Sequence, residues 1–174
     1  MYKNMNFVMV KDDFLSQKEC IYLIKKYKSK TNKETLKQHV SYCDYNITGE
    51  DELHLKALKL IQKYQNKYPS INNTAEQWGM KKFKFKHFPP GYAFSNWHCE
   101  HDLRYPNRIL CMQVYLSDHN CGTEFFDPNV TVMSKTGRAV IFPAFWTHLH
   151  RGQLCPDKKD RYLLANYGFL LTKK

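Results

Sequence analysis

The hydrophobic positions of this chain change period near residue 81. Before it, apolar residues fall at helical spacing. Cys20, Leu23, Ile24 and Tyr27 stand at i, i+3, i+4 and i+7, which predicts one face of an α-helix. Ser16-Gln-Lys-Glu19 just ahead has the capping-box pattern, with Ser16 as N-cap and Glu19 reaching back. A second helix is expected to open after Thr48, to carry Leu53, Ala57, Ile61, Tyr64 and Tyr68 on one side, and to stop at Pro69. Beyond 81 the period is two. Phe83, Phe85 and His87 alternate with Lys82, Lys84 and Lys86, as in a half-buried strand. Arg108 to Leu116 reads as a central strand. Shorter strands are expected near 124–126, 130–133, 138–142 and 161–170. Turns at Pro89-Pro-Gly91, Asp118 to Gly122, Asp127-Pro128, Lys135-Thr-Gly137 and Pro156-Asp157 separate them. Helices followed by many short strands predict an α+β chain of one domain. Residues 1–80 form a mostly helical support and 81–174 a sandwich or barrel of antiparallel strands.

Composition adds exclusions. With 174 residues, 43% hydrophobic and 25% charged, the chain has enough apolar material for one core and is not a disordered polymer. It has no apolar run long enough to cross a membrane as a helix. The opening stretch lacks the apolar core and cleavage site of a secretion signal. The expectation is therefore a cytoplasmic protein in a reducing compartment, whose six cysteines are structural or incidental. The net charge of +11 is almost all lysine, spread evenly. It suits solubility, and an acidic peptide partner, better than a dedicated nucleic-acid face.

Five of the eight histidines lie between 98 and 150. The densest cluster is His98-Cys-Glu100-His101-Asp102. In extended chain, i and i+2 share a side. His98 and Glu100 would thus present an imidazole and a carboxylate together, two legs of a facial metal triad. Asp102 is the fallback carboxylate. The third leg would be His148 or His150. Further on, Arg161 opens the apolar strand Tyr162-Leu-Leu-Ala-Asn-Tyr-Gly-Phe-Leu170. If buried, its guanidinium requires a partner, and its fork suits a carboxylate.

The order His-x-Glu, strand, Gly137-Arg-Ala-Val-Ile-Phe-Pro143, His, then Arg161-Tyr162 resembles the iron(II)- and 2-oxoglutarate-dependent dioxygenases, in their prolyl-4-hydroxylase-like branch. Tyr115-Leu-Ser-Asp118 and Cys121-Gly-Thr-Glu-Phe125 resemble that family's Tyr-Leu-Asn-Asp and Gly-Gly-x-x-x-Phe segments. The likeness covers residues 81–170, about half the chain. It implies a double-stranded β-helix (jelly-roll) core and Fe(II) held by His98, Glu100 and His150, with His148 as the alternative distal ligand. It implies that 2-oxoglutarate sets its far carboxylate on Arg161, helped by the Tyr115 hydroxyl. It further implies dioxygen as co-reactant, with hydroxylation of a peptide, protein or small molecule coupled to release of succinate and CO2. Arg108 is expected at the pocket mouth or in a salt bridge. Trp97, Phe142 and Trp146 would wall the pocket or sit in the core. Two other readings stay open: an idle metal-binding or interaction module of the same fold, and a nucleic-acid-directed oxygenase.

Overall fold

The computed structural model describes residues 6–31, 43–73 and 77–171; the first five residues of the opening stretch lie outside that range. In chain order the elements are β1 (Met9–Lys11), α1 (Gln17–Tyr27), β2 (Cys43–Asn46), α2 (Asp51–Lys67), β3 (Trp78–Met80), β4 (Lys84–Phe88) and β5 (Arg108–Tyr115). There follow β6 (Gly122–Phe125), β7 (Val130–Met133), β8 (Ala139–Pro143), β9 (His150–Gly152) and β10 (Arg161–Leu170).

All pairings are antiparallel. The large sheet runs β1-β8-β5-β10-β4-β2, with β3 also paired to β10. The small sheet runs β7-β6-β9. Strand β5 lies inside the large sheet, between β8 and β10, and every residue of it is buried. Its alternation therefore sorts two kinds of interior rather than inside from outside. Leu110, Met112 and Val114 join a core with Phe85, Ile141 and Leu164, onto which the helices press Leu23, Tyr27, Leu53, Ala57, Ile61 and Tyr64. Cys111 and Tyr115 face the small sheet, packing with Phe125, Val132, Val140, Phe142 and Leu163. This is the double-stranded β-helix, with helices on the outer face of one sheet.

Helix α1 begins as its sequence predicts. Glu19 N–H donates to Ser16 Oγ (3.3 Å) and Ser16 N–H donates to the Glu19 carboxylate (2.8 Å). Helix α2 starts later than expected, at Asp51, and no side chain caps it. The Glu50 carboxylate is engaged elsewhere, accepting from Lys26 Nζ (2.7 Å) and Tyr27 Oη (2.8 Å), which joins the two helices. The cysteine expectation needs correction. Cys121 and Cys155, 34 residues apart, form a disulfide with their Cα atoms 5.0 Å apart. No local spacing signals a pair that only the approach of two loops creates. No described helix is long and apolar enough to cross a membrane.

Candidate active site

The mouth between the two sheets collects side chains from β4, β5, β6, β9, β10 and the loop before β5. His98 and His150 meet across an isolated antiparallel bridge. His98 N–H donates to the His150 carbonyl (3.0 Å) and His150 N–H to the His98 carbonyl (2.9 Å). Two residues on, Glu100 N–H donates to Ala144 O (3.0 Å). These backbone bonds bring together residues far apart in sequence. The ring centroids of the two histidines are 4.3 Å apart. One ligand atom from each of His98, Glu100 and His150 lies within 4.8 Å of the others.

The imidazoles are already oriented. His98 Nδ1 lies 2.8 Å from Asn96 O, and His150 Nδ1 lies 3.0 Å from His148 O. A carbonyl only accepts, so each Nδ1 carries a hydrogen and each Nε2 is the nitrogen left to meet a metal. His150 Nε2 is buried with no hydrogen-bond partner, 3.8 Å from Glu100 Oε1. Phe142 packs edge-on against that ring at 4.7 Å. Burial, then the neighbouring His150, lowers the His98 pKa to about 4. Burial would raise Glu100, but His150, Lys86 and His98 outweigh it and hold the carboxyl at about 2. Two imidazoles that each present Nε2, and an ionised carboxylate, around one point make the donor set of a divalent metal. This set fits Fe(II).

His148, the alternative ligand, is turned away. Its Nε2 lies 2.8 Å from Asn6 O and its Nδ1 2.9 Å from Thr147 Oγ1. Asp102 accepts from the N–H groups of Arg104 and Tyr105 in a local turn. Arg108 takes the salt-bridge role: Nη1 donates to Glu100 Oε2 at 2.9 Å. Its guanidinium lies between the rings of Tyr105 (3.6 Å) and Tyr167 (3.8 Å).

Arg161 is 3% exposed. Its Nη1 donates to Cys121 Sγ (3.2 Å) and Gln153 O (3.3 Å), its carbon stacks 4.6 Å over Phe88, and its Nε has no partner. Among the described residues no carboxylate lies within ion-pair distance. A Cβ at Gly152 would stand 3.2 Å from Arg161 Nη2, so glycine leaves the guanidinium room. Tyr115 is set one side chain back from where it was expected. Its hydroxyl is 2.7 Å from Thr123 Oγ1 and 3.2 Å from Val132 O. Thr123 and Gln113, themselves hydrogen-bonded at 2.9 Å, reach the cavity in its place.

Lys86 also lines this cavity. The alternating pattern of β4 assigned it to the outer face. It is 8% exposed, with Nζ 3.4 Å from Tyr167 Oη. A lysine inside a strand reads as solvated unless the opposite face is known to be covered, so nothing in the alternation marks it. Trp146 is corrected in the other sense: it is 76% exposed. Trp97 lies at the rim under Arg151, 4.5 Å from its guanidinium carbon.

The free space among these side chains is about 30 Å³, room for one or two water-sized groups. Across Gly152 it adjoins an open groove of about 370 Å³ lined by Ser95, Asn120, Glu124, Arg151 and Gln153.

No known protein-family model matches the sequence, and no curated protein matches it. Solved structures do. A viral collagen prolyl hydroxylase from Paramecium bursaria Chlorella virus-1, in complex with 2-oxoglutarate, is 18% identical with a TM-score of 0.71, over 95% of this chain and 97% of that one. A Pseudomonas putida prolyl-4-hydroxylase is 16% identical with a TM-score of 0.71, over 98% and 96%. A Trichoplax adhaerens prolyl hydroxylase, in complex with a hypoxia inducible factor peptide fragment, is 15% identical with a TM-score of 0.69, over 97% and 86%. The chain has the double-stranded β-helix fold of the prolyl-4-hydroxylase-like 2-oxoglutarate oxygenases.

Proposed function

We propose that this protein is an Fe(II)- and 2-oxoglutarate-dependent oxygenase that hydroxylates a peptidyl residue. One observation carries the reading. A single cavity holds a His–Glu–His set with His150 Nε2 unpartnered, and a buried guanidinium with no carboxylate. An unpaired buried cation is costly, so a site that keeps one is built for an anion.

His98 Nε2, His150 Nε2 and Glu100 Oε1 would hold the iron, since Glu100 Oε2 is committed to Arg108. When bound, iron supplies the redox chemistry that couples decarboxylation of 2-oxoglutarate to insertion of one oxygen atom into a C–H bond. The protein's own part is orientation. The Asn96 and His148 carbonyls fix both rings. Arg161 would pair with the far carboxylate of the cosubstrate, beside Thr123, which Tyr115 backs. The space is narrow for a five-carbon diacid, whose entry would press on the lining side chains. Phe94, its ring tilted against that of His98 with centroids 3.9 Å apart, is one of those lining side chains. The open groove with Glu124 and Arg151 suits an extended chain better than a small molecule, and a peptide occupies one protein of the same fold.

The test is succinate formation from 2-oxoglutarate under air with Fe(II), followed by a peptide array read for the mass of one added oxygen. Iron-dependent succinate should vanish in His98→Ala and Glu100→Ala while circular dichroism stays unchanged. Arg161→Ala should raise KM for 2-oxoglutarate roughly 30-fold or more and leave iron affinity within a few-fold. Iron and cosubstrate binding without any succinate, with every peptide present, would leave the idle-module reading; no binding of either would overturn both.

A further inference from the structure

A second cluster of donors lies outside the cavity. The loop between β5 and β6 carries His119-Asn-Cys121, and the loop before β10 carries Cys155-Pro-Asp157. The two i, i+2 pairs face one another. His119 Nδ1 is 2.8 Å from Asp157 Oδ2. Ligand atoms of His119, Cys155 and Asp157 lie within 4.8 Å of each other, and Cys121 is bonded to Cys155. The His119 side chain is 2% exposed and that of Asp157 11%.

We propose that these four residues form a second, structural metal site of the zinc class, occupied when the cysteines are reduced. The donor set decides the ion. Two thiolates, one imidazole and one carboxylate make a closed four-coordinate shell, which suits zinc and leaves no open position for chemistry. The surrounding contacts fit that use. Ser117 Oγ lies 2.9 Å from His119 Nε2 and can accept its hydrogen, leaving Nδ1 as the ligand atom. The other oxygen of Asp157 accepts from Lys159 N–H at 3.2 Å, which frees Oδ2 for the metal. Formation of the site balances simply. A dithiol or phosphine reductant takes up the disulfide's oxidising equivalents and leaves two thiols. Zinc then binds with release of one proton from each.

The site would clasp the two loops that flank Arg161, whose Nη1 already touches Cys121 Sγ. Its identity as a separate site is independent of the oxygenase reading, because none of the four ligands lines the iron cavity.

The experiment uses the full chain carrying His98→Ala and His150→Ala, so that the first donor set is removed. The protein is reduced with a phosphine, stripped by chelator, and titrated with Co(II) and then Zn(II). The expected result is one metal per chain and a sulfur-to-cobalt charge-transfer band, both absent from the oxidised protein. Cys155→Ser should abolish the band, and Ser117→Ala should weaken zinc roughly tenfold. If the double-alanine background fails to fold, the same band is read in the wild-type chain and its loss in Cys155→Ser decides. A reduced protein that binds no cobalt, or binds it without a thiolate band, overturns the proposal. So does a Cys155→Ser chain that binds metal as tightly.

Discussion

Arg108 shows how one residue can shape a candidate metal site from outside its donor set. It neutralises Glu100 Oε2 and is held by aromatic rings on both sides. The pair is almost fully buried, so removing one partner leaves a bare charge. Arg108→Ala should cost about 3 kcal/mol in the metal-free protein. The loss should shrink under saturating Mn(II), because the ion then shares the Glu100 charge. Denaturant titrations with and without the ion measure both numbers; an equal loss in the two states would refute the idea. The sequence offered Arg108 at the pocket mouth or in a salt bridge and could not name Glu100 as partner, since the two meet through a loop turn. His98, Glu100 and Arg161 stand out because their types and order resemble a family pattern, whereas His148 and His150 could not be told apart, since only the backbone bridge to His98 puts one ring at the cavity and turns the other away. Lys86 and the Cys121–Cys155 pair do not stand out. Each takes its meaning from what a separate loop or strand lays across it.

At the scale of elements, α1 and the long strands could be read because their own residues carry the signal. Ser16 and Glu19 complete both arms of the capping box. Ser16→Ala should therefore lower stability by about 1 kcal/mol. The strands β1, β2, β3 and β9 escaped notice. Each has only three or four residues, too few for an alternation, and each exists because a neighbour's edge recruits it. Strand β1 pairs with β8 through Met9, Val10 and Lys11, and the chain behind it leans on one glycine. Gly137 has φ +77°, and a Cβ there would stand 2.0 Å from Leu15 O. Its own carbonyl accepts from the N–H groups of Phe14 and Leu15. Both the left-handed backbone and the close approach exclude a side chain. Gly137→Ala should cost more than about 2 kcal/mol, seen as a clear drop in Tm. A Tm unchanged by this substitution would show that the β1–β8 corner is not as rigid as its hydrogen bonds imply.

For the whole molecule, the site at the mouth of the two sheets ties global stability to pH. His98 has its pKa lowered to about 4, by burial first and then by His150. His148 is lowered as well, chiefly by burial. In the unfolded chain both titrate near their ordinary value of about 6.5. As pH falls through 6.5 the unfolded state takes up protons that the folded state refuses. Stability is therefore fully present above about pH 6.5 and declines toward pH 4. Glu100, held at about 2 in the folded state, adds to the loss in the lower part of that window, where the unfolded carboxyl takes up its proton near its ordinary value of about 4.5. A metal bound at the proposed site would sharpen the dependence. A ligand that binds only the folded state raises Tm by mass action, and protons compete with it for the same imidazole lone pairs. The metal-free protein should lose stability steadily between pH 6.5 and 5, and the stabilisation given by a fixed Mn(II) concentration should shrink over the same interval. In His98→Ala the first slope should flatten to the part owed to His148, and the metal increment should disappear at every pH. Thermal melts at several pH values, with and without Mn(II), test both. A wild-type slope that His98→Ala leaves intact would mean that the buried charge balance lies elsewhere than at the two-sheet mouth.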